Sequence, residues 1–193
     1  WKTVFNRFDR WSKRGRWSAL FAALQTAVDP EWQRIDSTTN RAHPHAAGGK
    51  GGPAVHGIGR SRGGATTKVD LVVDALGLPL AFELTEGQRH DIVPAPCLVE
   101  RTRPRCLLAD KAYSSHDFRA LLDTMACQPV IPSSTSWIDP PPYDKDLYKA
   151  RAEVECTFNV LKQARRFATR YEKPLRNYAA VVAIGCALLW LRI

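Results

Sequence analysis

The sequence predicts an α/β fold: a mixed sheet, with an antiparallel trio of strands continued by parallel ones, flanked by helices and preceded by short N-terminal helices. Three observations predict it. Two β-rich runs, Thr66–Ala75 and Pro79–Glu86, meet at Leu76-Gly77 and read as an antiparallel hairpin. Short apolar runs downstream alternate with segments of helical period, as βαβ units do. The two ends of the chain carry apolar residues suited to helices.

Taken in order, residues 1–29 set Val4, Phe5, Phe8 and Trp11, then Trp17, Leu20, Phe21 and Leu24, at helical spacing, with Gly15 separating two short helices. Trp32–Thr38, after Pro30, is the first strand candidate. Asn40–Gly64 holds eight of the twelve glycines, three histidines and no acid, a composition that disfavours regular structure. Between Asp36 and Asp70 the charged residues are Arg41, Lys50, Arg60, Arg62 and Lys68, all basic. Such a stretch suits a phosphate backbone, and it equally suits a solvated loop without a role. Beyond the hairpin, Asp91 is expected to cap a helix reaching about Arg101, with Pro94 and Pro96 in its early turns. Arg105–Ala109 reads as a strand, Ser114–Met125 as a helix capped by Ser114 or Ser115, and Gln128–Ile131 as a strand. Pro132–Pro142 is a polar, proline-rich connection; helices from about Lys145 to Ala168 and from about Leu175 finish the chain. Ribonuclease H-like domains have this layout.

The length of 193 residues suits one domain, or one domain with a helical annex. A 45% apolar composition and six Trp point to a folded globule and against disorder. Twenty-eight Lys+Arg against 19 Asp+Glu give a net charge of +9, which favours a polyanionic partner, nucleic acid before an acidic small molecule. Cys97, Cys106, Cys127, Cys156 and Cys186 show no CxxC pairing and read as reduced, buried thiols of a cytoplasmic protein. The start at Trp1 lacks a secretory pattern, and the 13 uncharged residues from Ala179 to Leu191 are too few to span a bilayer, so no membrane role is expected.

The chemistry is carried by three acids far apart in sequence: Asp36 in IDSTT, Asp110 in LLADKAY and Glu155 in YKARAEVE. The first two lie in or just past apolar strand candidates, where a carboxylate is costly unless paired or bound to a metal. Together they suggest oxygen ligands gathered around Mg²⁺, the parts of a two-metal phosphoryl-transfer site. On a helix of about 100° per residue, Tyr148, Arg151, Glu155 and Lys162 fall within a roughly 60° sector, opposite Leu147, Val154, Val160 and Leu161. Glu153 points about 200° away from Glu155 on the same geometry. Taken alone, that stripe is also the ordinary polar face of an amphipathic helix.

Other residues offer competing readings. Asp70 and Asp74 share a strand face and read as edge or solvent-facing carboxylates, with a ligand role as the alternative. His43, His45 and His56 invite a zinc site, but no cysteine lies nearby and the loop is glycine-rich. Cys156 turns toward the apolar side of its helix and is expected in the core.

Tyr-x2-Arg-x3-Glu-x6-Lys, present as Tyr148, Arg151, Glu155 and Lys162, resembles the signature helix of DDE insertion-sequence transposases. IDSTTNRAHPHAAGGKGG, GRSRGGATTKVDLVVDALGLPLAFELTEGQRHD, LLADKAYSS and FATRYEKPLRNYAAVV resemble the IS-five branch, in the same order, over nearly the whole chain. The resemblance implies a ribonuclease H-like fold, with Asp36, Asp110 and Glu155 as catalytic residues holding Mg²⁺, for which Mn²⁺ substitutes. It implies cleavage at insertion-sequence ends and strand transfer into target DNA, by a homodimer on DNA at the bacterial nucleoid. Tyr148, Arg151 and Lys162 become DNA contacts on this reading, beside the basic Arg60, Arg62 and Lys68. Residues 1–29 become the remnant of a DNA-end-binding region and 30–193 the catalytic domain, because family members usually begin some tens of residues before the counterpart of Trp1. Ala112 and Ser114 stand where the family often has Gly and Asp. The alternatives are a nuclease of the same fold, which would cleave without joining, and a truncated relic that only binds DNA or sequesters a partner.

Overall fold

The computed structural model describes residues 1–26, 28, 31–133 and 137–192. Two helices, α1 (Lys2–Lys13) and α2 (Arg16–Ala23), come first, and Gly15 joins them at φ +64°, a left-handed turn that suits glycine. The strands are β1 (Gln33–Ala42), β2 (Gly59–Ser61), β3 (Gly64–Val73), β4 (Pro79–Glu86), β5 (Cys106–Leu108), β6 (Gln128–Val130) and β7 (Thr169–Arg170). They form one sheet. β3 runs antiparallel to β1, β2 and β4, whereas β5 and β7 run parallel to β1 and β6 parallel to β5. This antiparallel trio continued by parallel strands is the ribonuclease H-like layout expected above. The remaining helices are α3 (Pro44–Ala47), α4 (Ala95–Thr102), α5 (His116–Thr124), α6 (Lys145–Tyr148), α7 (Glu153–Lys162), α8 (Arg165–Ala168) and α9 (Leu175–Trp190).

Register assigns the faces. Phe82 of β4 meets Phe21 of α2, ring centroids 6.1 Å apart, while its neighbour Glu83 takes an ion pair from Arg101 of α4 at 2.6 Å. Alternate residues of a strand point to opposite faces, so α2 and α4 lie on opposite sides of the sheet. Phe82 pairs with Leu71 and Leu71 with Asp36; Glu83 pairs with Asp70 and Asp70 with Ser37. Asp36 therefore faces the α2 side and Asp70 the α4 side. The main core joins Ile35, Leu71, Leu98, Leu107 and Leu122 to Val154 and Phe158 of α7 and to Tyr178, Val182 and Cys186 of α9. Each such side chain contributes about 1.5–3 kcal/mol on burial. α9 is anchored at both ends: Tyr178 donates to Phe167 O (2.8 Å) and Trp190 Nε1 to Pro79 O (2.8 Å). Among the described residues no helix is long and apolar enough to cross a membrane.

Several expectations are corrected. β1 runs on to Ala42, because Thr39, Asn40 and Arg41 pair with β3 and backbone pairing outweighs local composition. The glycine-rich stretch contains α3, a 3-10 turn at Ala54–His56 and β2. The helix expected over Lys145–Ala168 is three helices, with a 3-10 segment at Lys149–Ala152 and a break where Ala164 is extended (φ −77°, ψ 109°). Asp91 caps nothing: α4 starts after Pro94, and the Asp91 carboxylate takes the Lys68 ammonium instead. Cys97 and Cys156 are exposed, while Cys106, Cys127 and Cys186 are buried as expected. The boundary at residues 29–30, the middle of Pro132–Pro142 and the direction of the Glu153 side chain lie outside the described residues.

Asp70 and Asp74 are both fully buried, against the expectation of edge or solvent-facing acids. Asp74 Oδ1 accepts from the Leu76 and Leu78 N–H groups (3.0 and 2.8 Å) and so holds the β3–β4 turn. Asp70 accepts from the Thr85 hydroxyl at 3.0 Å. Burial pushes its carboxyl up to about 7, with Asp91 and Glu83 adding to the rise and Thr85 and Lys68 opposing it. Between about pH 4 and 7 the folded chain thus keeps a proton that the unfolded chain has lost, and stability falls across that window as pH rises. Asn mimics the protonated acid, so Asp70→Asn is expected to raise the melting temperature at pH 8 and to change it little at pH 4. An equal change at both pH values in thermal melts would refute this account.

Candidate active site

The parallel pairing of β1 with β5 sets Arg34 beside Leu108. Two residues further along each segment are Asp36 and Asp110, so strand periodicity brings the two acids level and onto one face. β5 pairs with β1 at residues 33 and 34, and β7 at 41 and 42. Among the described residues the edge of β1 between them carries no strand, and α7 crosses on the Asp36 side. Thr157 of α7 donates to Gly77 O at 2.8 Å, tying the helix to the β3–β4 turn. Gly77 has φ +79°, and a Cβ there would stand 3.2 Å from Thr157 Oγ1. The turn signal was legible in Leu76-Gly77; its docking to α7 was not.

Arg151 joins two of the three acids. Its NH1 donates to Asp36 Oδ2 at 2.9 Å and its NH2 to Glu155 Oε1 at 2.8 Å. Asp36 Oδ1 accepts from the Ser37 N–H at 2.7 Å. Asp110 Oδ1 accepts from the Ala112 N–H at 2.6 Å and caps the 3-10 turn Lys111–Tyr113, whose Tyr113 is fully buried. The Asp36 and Arg151 side chains are each 20% exposed and Glu155 55% exposed.

Burial raises the Asp36 carboxyl above its ordinary range, and the charges of Asp110 and Glu155 raise it further, against Ser37 and Arg151. Burial works against the Arg151 cation, yet Glu155 and Asp36 hold it above its usual value. The sequence had no signal for the Ser37 and Ala112 amides or for buried Tyr113, because backbone donors and core phenols leave no charge pattern.

Tyr148 and Arg151 sit before α7 and not on one continuous helix with Glu155. The stripe survives because Arg151 reaches Glu155 across one turn and lies 6.0 Å from the Tyr148 ring, itself edge-on to Tyr143. Lys162 ends α7, exposed, about 10 Å along the helix from Glu155. Arg60 and Arg62 are exposed on and beside β2, on the far side of β3 from β1. Lys68 differs from them: it is buried on the Asp70 side with its ammonium held by Asp91 and Arg89 O, which removes it from the candidate DNA contacts. His43 accepts from the His45 N–H at 3.2 Å and His56 lies 3.0 Å from Lys50 O.

Among the described residues no three His, Cys, Asp or Glu side chains are gathered closely enough to hold a metal ion. The acids nonetheless fit a divalent cation. Their oxygens are hard donors, their mutual repulsion is seen at Asp36, and the Arg151 guanidinium already stands between Asp36 and Glu155 as a positive charge. A bound ion would require Arg151 to yield one of those carboxylates.

The family model described as Transposase DDE domain matches residues 33–190, from the start of β1 to the end of α9. A protein of Brucella ovis, named as a transposase for insertion sequence element IS6501, is 37% identical over 129 residues, 66% of this chain and 99% of that protein. One of Burkholderia cepacia, named for element IS402, is 30% identical over 142 residues; the match covers 67% of this chain and 64% of that protein. The structure titled Mos1 transposase paired-end complex with left transposon end aligns over 96% of this chain and 60% of its own, at 11% identity and a TM-score of 0.40. On the extent of the family match and the identity to the Brucella protein, the chain belongs to the DDE transposase domain family.

Proposed function

We propose that this chain cleaves phosphodiester bonds at insertion-sequence ends and transfers the freed strand into target DNA. The observation that carries the reading is Arg151 spanning Asp36 and Glu155 with Asp110 alongside, three acids from distant segments on one side of the sheet. DDE transposases use divalent metal; here Asp36, Asp110 and Glu155 would hold Mg²⁺, with Mn²⁺ as substitute. Metal held there would supply the chemistry of activating a water or 3′-hydroxyl and neutralising charge on the phosphorus and leaving oxygen.

The chain's own residues do the rest. Ser37 and Ala112 amides orient Asp36 and Asp110. Arg151, on yielding a carboxylate, turns its guanidinium to a phosphate oxygen near the scissile bond. Tyr148 and Lys162 lie on either side of Glu155 to meet the backbone of the transposon end, and Arg60 and Arg62 meet it further out. No Ser or Tyr nucleophile is needed. The same reading makes 1–29 part of a DNA-end-binding region and 30–193 the catalytic unit, acting as a homodimer on DNA in the bacterial cytoplasm, at the nucleoid.

The test is a Mn²⁺-dependent joining assay on oligonucleotides copied from the repeats flanking the gene, with Asp110→Ala as control. Joined product from wild type alone is expected. Cleavage without joining would make the chain a nuclease, and binding without cleavage a DNA-binding relic.

A further inference from the structure

A second cluster lies at the other end of β1 from the acids. His43, the first residue past the strand, stacks on Tyr171 with centroids 5.0 Å apart and 30° between the rings. Arg165 of α8 places its guanidinium carbon 5.6 Å from the Tyr171 centroid, with Nε and NH2 3.3 and 3.2 Å from the Tyr171 hydroxyl. The His43 N–H donates to Arg170 O at 2.8 Å, which fixes the stack to β7. Lys173 Nζ lies against Gly48, 3.9 Å from where a Cβ would stand.

Charge at this end is uncompensated. Arg41, Lys50, Arg165 and Lys173 are exposed, and among the described residues none has a carboxylate within ion-pairing distance. The one acid beside them in sequence, Glu172, is buried and taken by Arg166. Some exposed cations elsewhere are partnered, as in Lys13–Asp9, Arg101–Glu83 and Lys149–Asp146; here the free cations are gathered around an aromatic stack. A preformed aromatic stack with unpaired cations around it is complementary to phosphate oxygens, with Tyr171 and His43 as further hydrogen-bonding groups.

Position supplies the rest. Seven residues of extended chain separate Asp36 from His43, about 23 Å at about 3.3 Å per residue. That is roughly seven phosphate steps of a DNA strand at 3.4 Å each.

We propose that Arg165, Tyr171, His43 and Lys173 form a clamp for the phosphates of duplex DNA, roughly seven base pairs from the bond addressed by Asp36 and Asp110. The clamp rests on the DNA-directed reading above and extends it to a surface remote from the chemistry.

Fluorescence anisotropy tests it, with a duplex of about 30 base pairs titrated at several salt concentrations. Arg165→Gln with Lys173→Gln is expected to weaken binding about tenfold near 0.1 M salt. The slope of log affinity against log salt should become shallower by about 1.8, about 0.9 for each lost phosphate contact. Arg103→Gln with Arg105→Gln removes the same charge from exposed positions beside β5, and is expected to leave affinity and slope at wild-type values. Lys173→Glu alone should weaken binding more than Lys173→Gln. Wild-type behaviour of the Arg165/Lys173 variant, or an equal loss in the Arg103/Arg105 control, would overturn the clamp. Asp110→Asn in the same titration should bind as wild type, so a failed catalytic reading leaves the binding result interpretable. Absence of duplex binding by wild type would overturn the clamp and the DNA reading together.

Discussion

Asp110→Asn is expected to lower DNA cleavage and joining by about a thousandfold or more while leaving DNA affinity within about twofold. A thousandfold is about 4 kcal/mol of transition-state stabilisation, the scale lost when one anionic ligand of a phosphoryl-transfer site is removed. Asn suits the test because its carbonyl oxygen can still accept the Ala112 N–H that Asp110 Oδ1 accepts at 2.6 Å. The 3-10 turn Lys111–Tyr113 and buried Tyr113 then stay in place, and only the charge is lost. Asp36→Asn and Glu155→Gln should lose activity on the same scale, with different side effects. Asp36 is held above its ordinary carboxylate range mainly by burial, so removing its charge should not lower the melting temperature. Glu155 is half exposed, and Gln there should be neutral for stability. Single-turnover cleavage with matched melts and anisotropy separates the three effects. Wild-type rates in any one variant would remove that acid from the proposed metal set.

Where periodicity, turn chemistry and apolar runs agreed, the fold was legible. Pro79–Glu86 has the expected bounds, Ser115 caps α5 by accepting from the Phe118 N–H at 3.2 Å, and α9 starts at Leu175. What escaped lies where tertiary context overrides local preference. The helical period of Lys145–Ala168 continues through two breaks, because a 3-10 segment shifts side-chain angles too little to disturb an apolar pattern. β7 has two residues, and only its pairing with Arg41 and Ala42 makes it a strand. Charged residues were the largest source of error: Lys68, Asp70 and Asp74 read as surface groups, and all are buried with partners that lie far off in sequence or in backbone atoms. The acids of the candidate site stood out through the opposite contrast, a carboxylate set among apolar strand residues in IDSTT and LLADKAY. Sequence located them; that Arg151 bridges Asp36 and Glu155 required the structure.

Arg170→Leu is expected to cost about 3 kcal/mol, lowering the melting temperature by roughly 6–12 °C. The side chain is fully buried and gives hydrogen bonds to three separate acceptors: NH1 to Thr67 Oγ1 (2.6 Å), Nε to Glu172 O (3.0 Å) and NH2 to Lys173 O (3.0 Å). Its guanidinium carbon also lies 5.3 Å from the Tyr178 ring centroid. Burial lowers its pKa to about 10, against the pull of Tyr178 and Glu172, so it remains a cation at neutral pH. Leu would leave two carbonyls and a hydroxyl in the core without this donor, at about 1–3 kcal/mol for each acceptor left unsatisfied, partly relieved by local collapse. Arg170→Lys should recover less than half of the loss, since an ammonium on a single stem cannot reach three acceptors set around a planar fork. Arg165→Gln, at an exposed position whose guanidinium meets only the Tyr171 hydroxyl among the hydrogen bonds of the described residues, is the contrast: a change within about 0.5 kcal/mol. If Arg170→Leu melts with wild type, the hydrogen bonds of Arg170 do not hold β7 to the sheet. If it melts as expected, the two residues of β7 are fixed by one buried cation, and the His43–Tyr171 stack inherits its position from that cation.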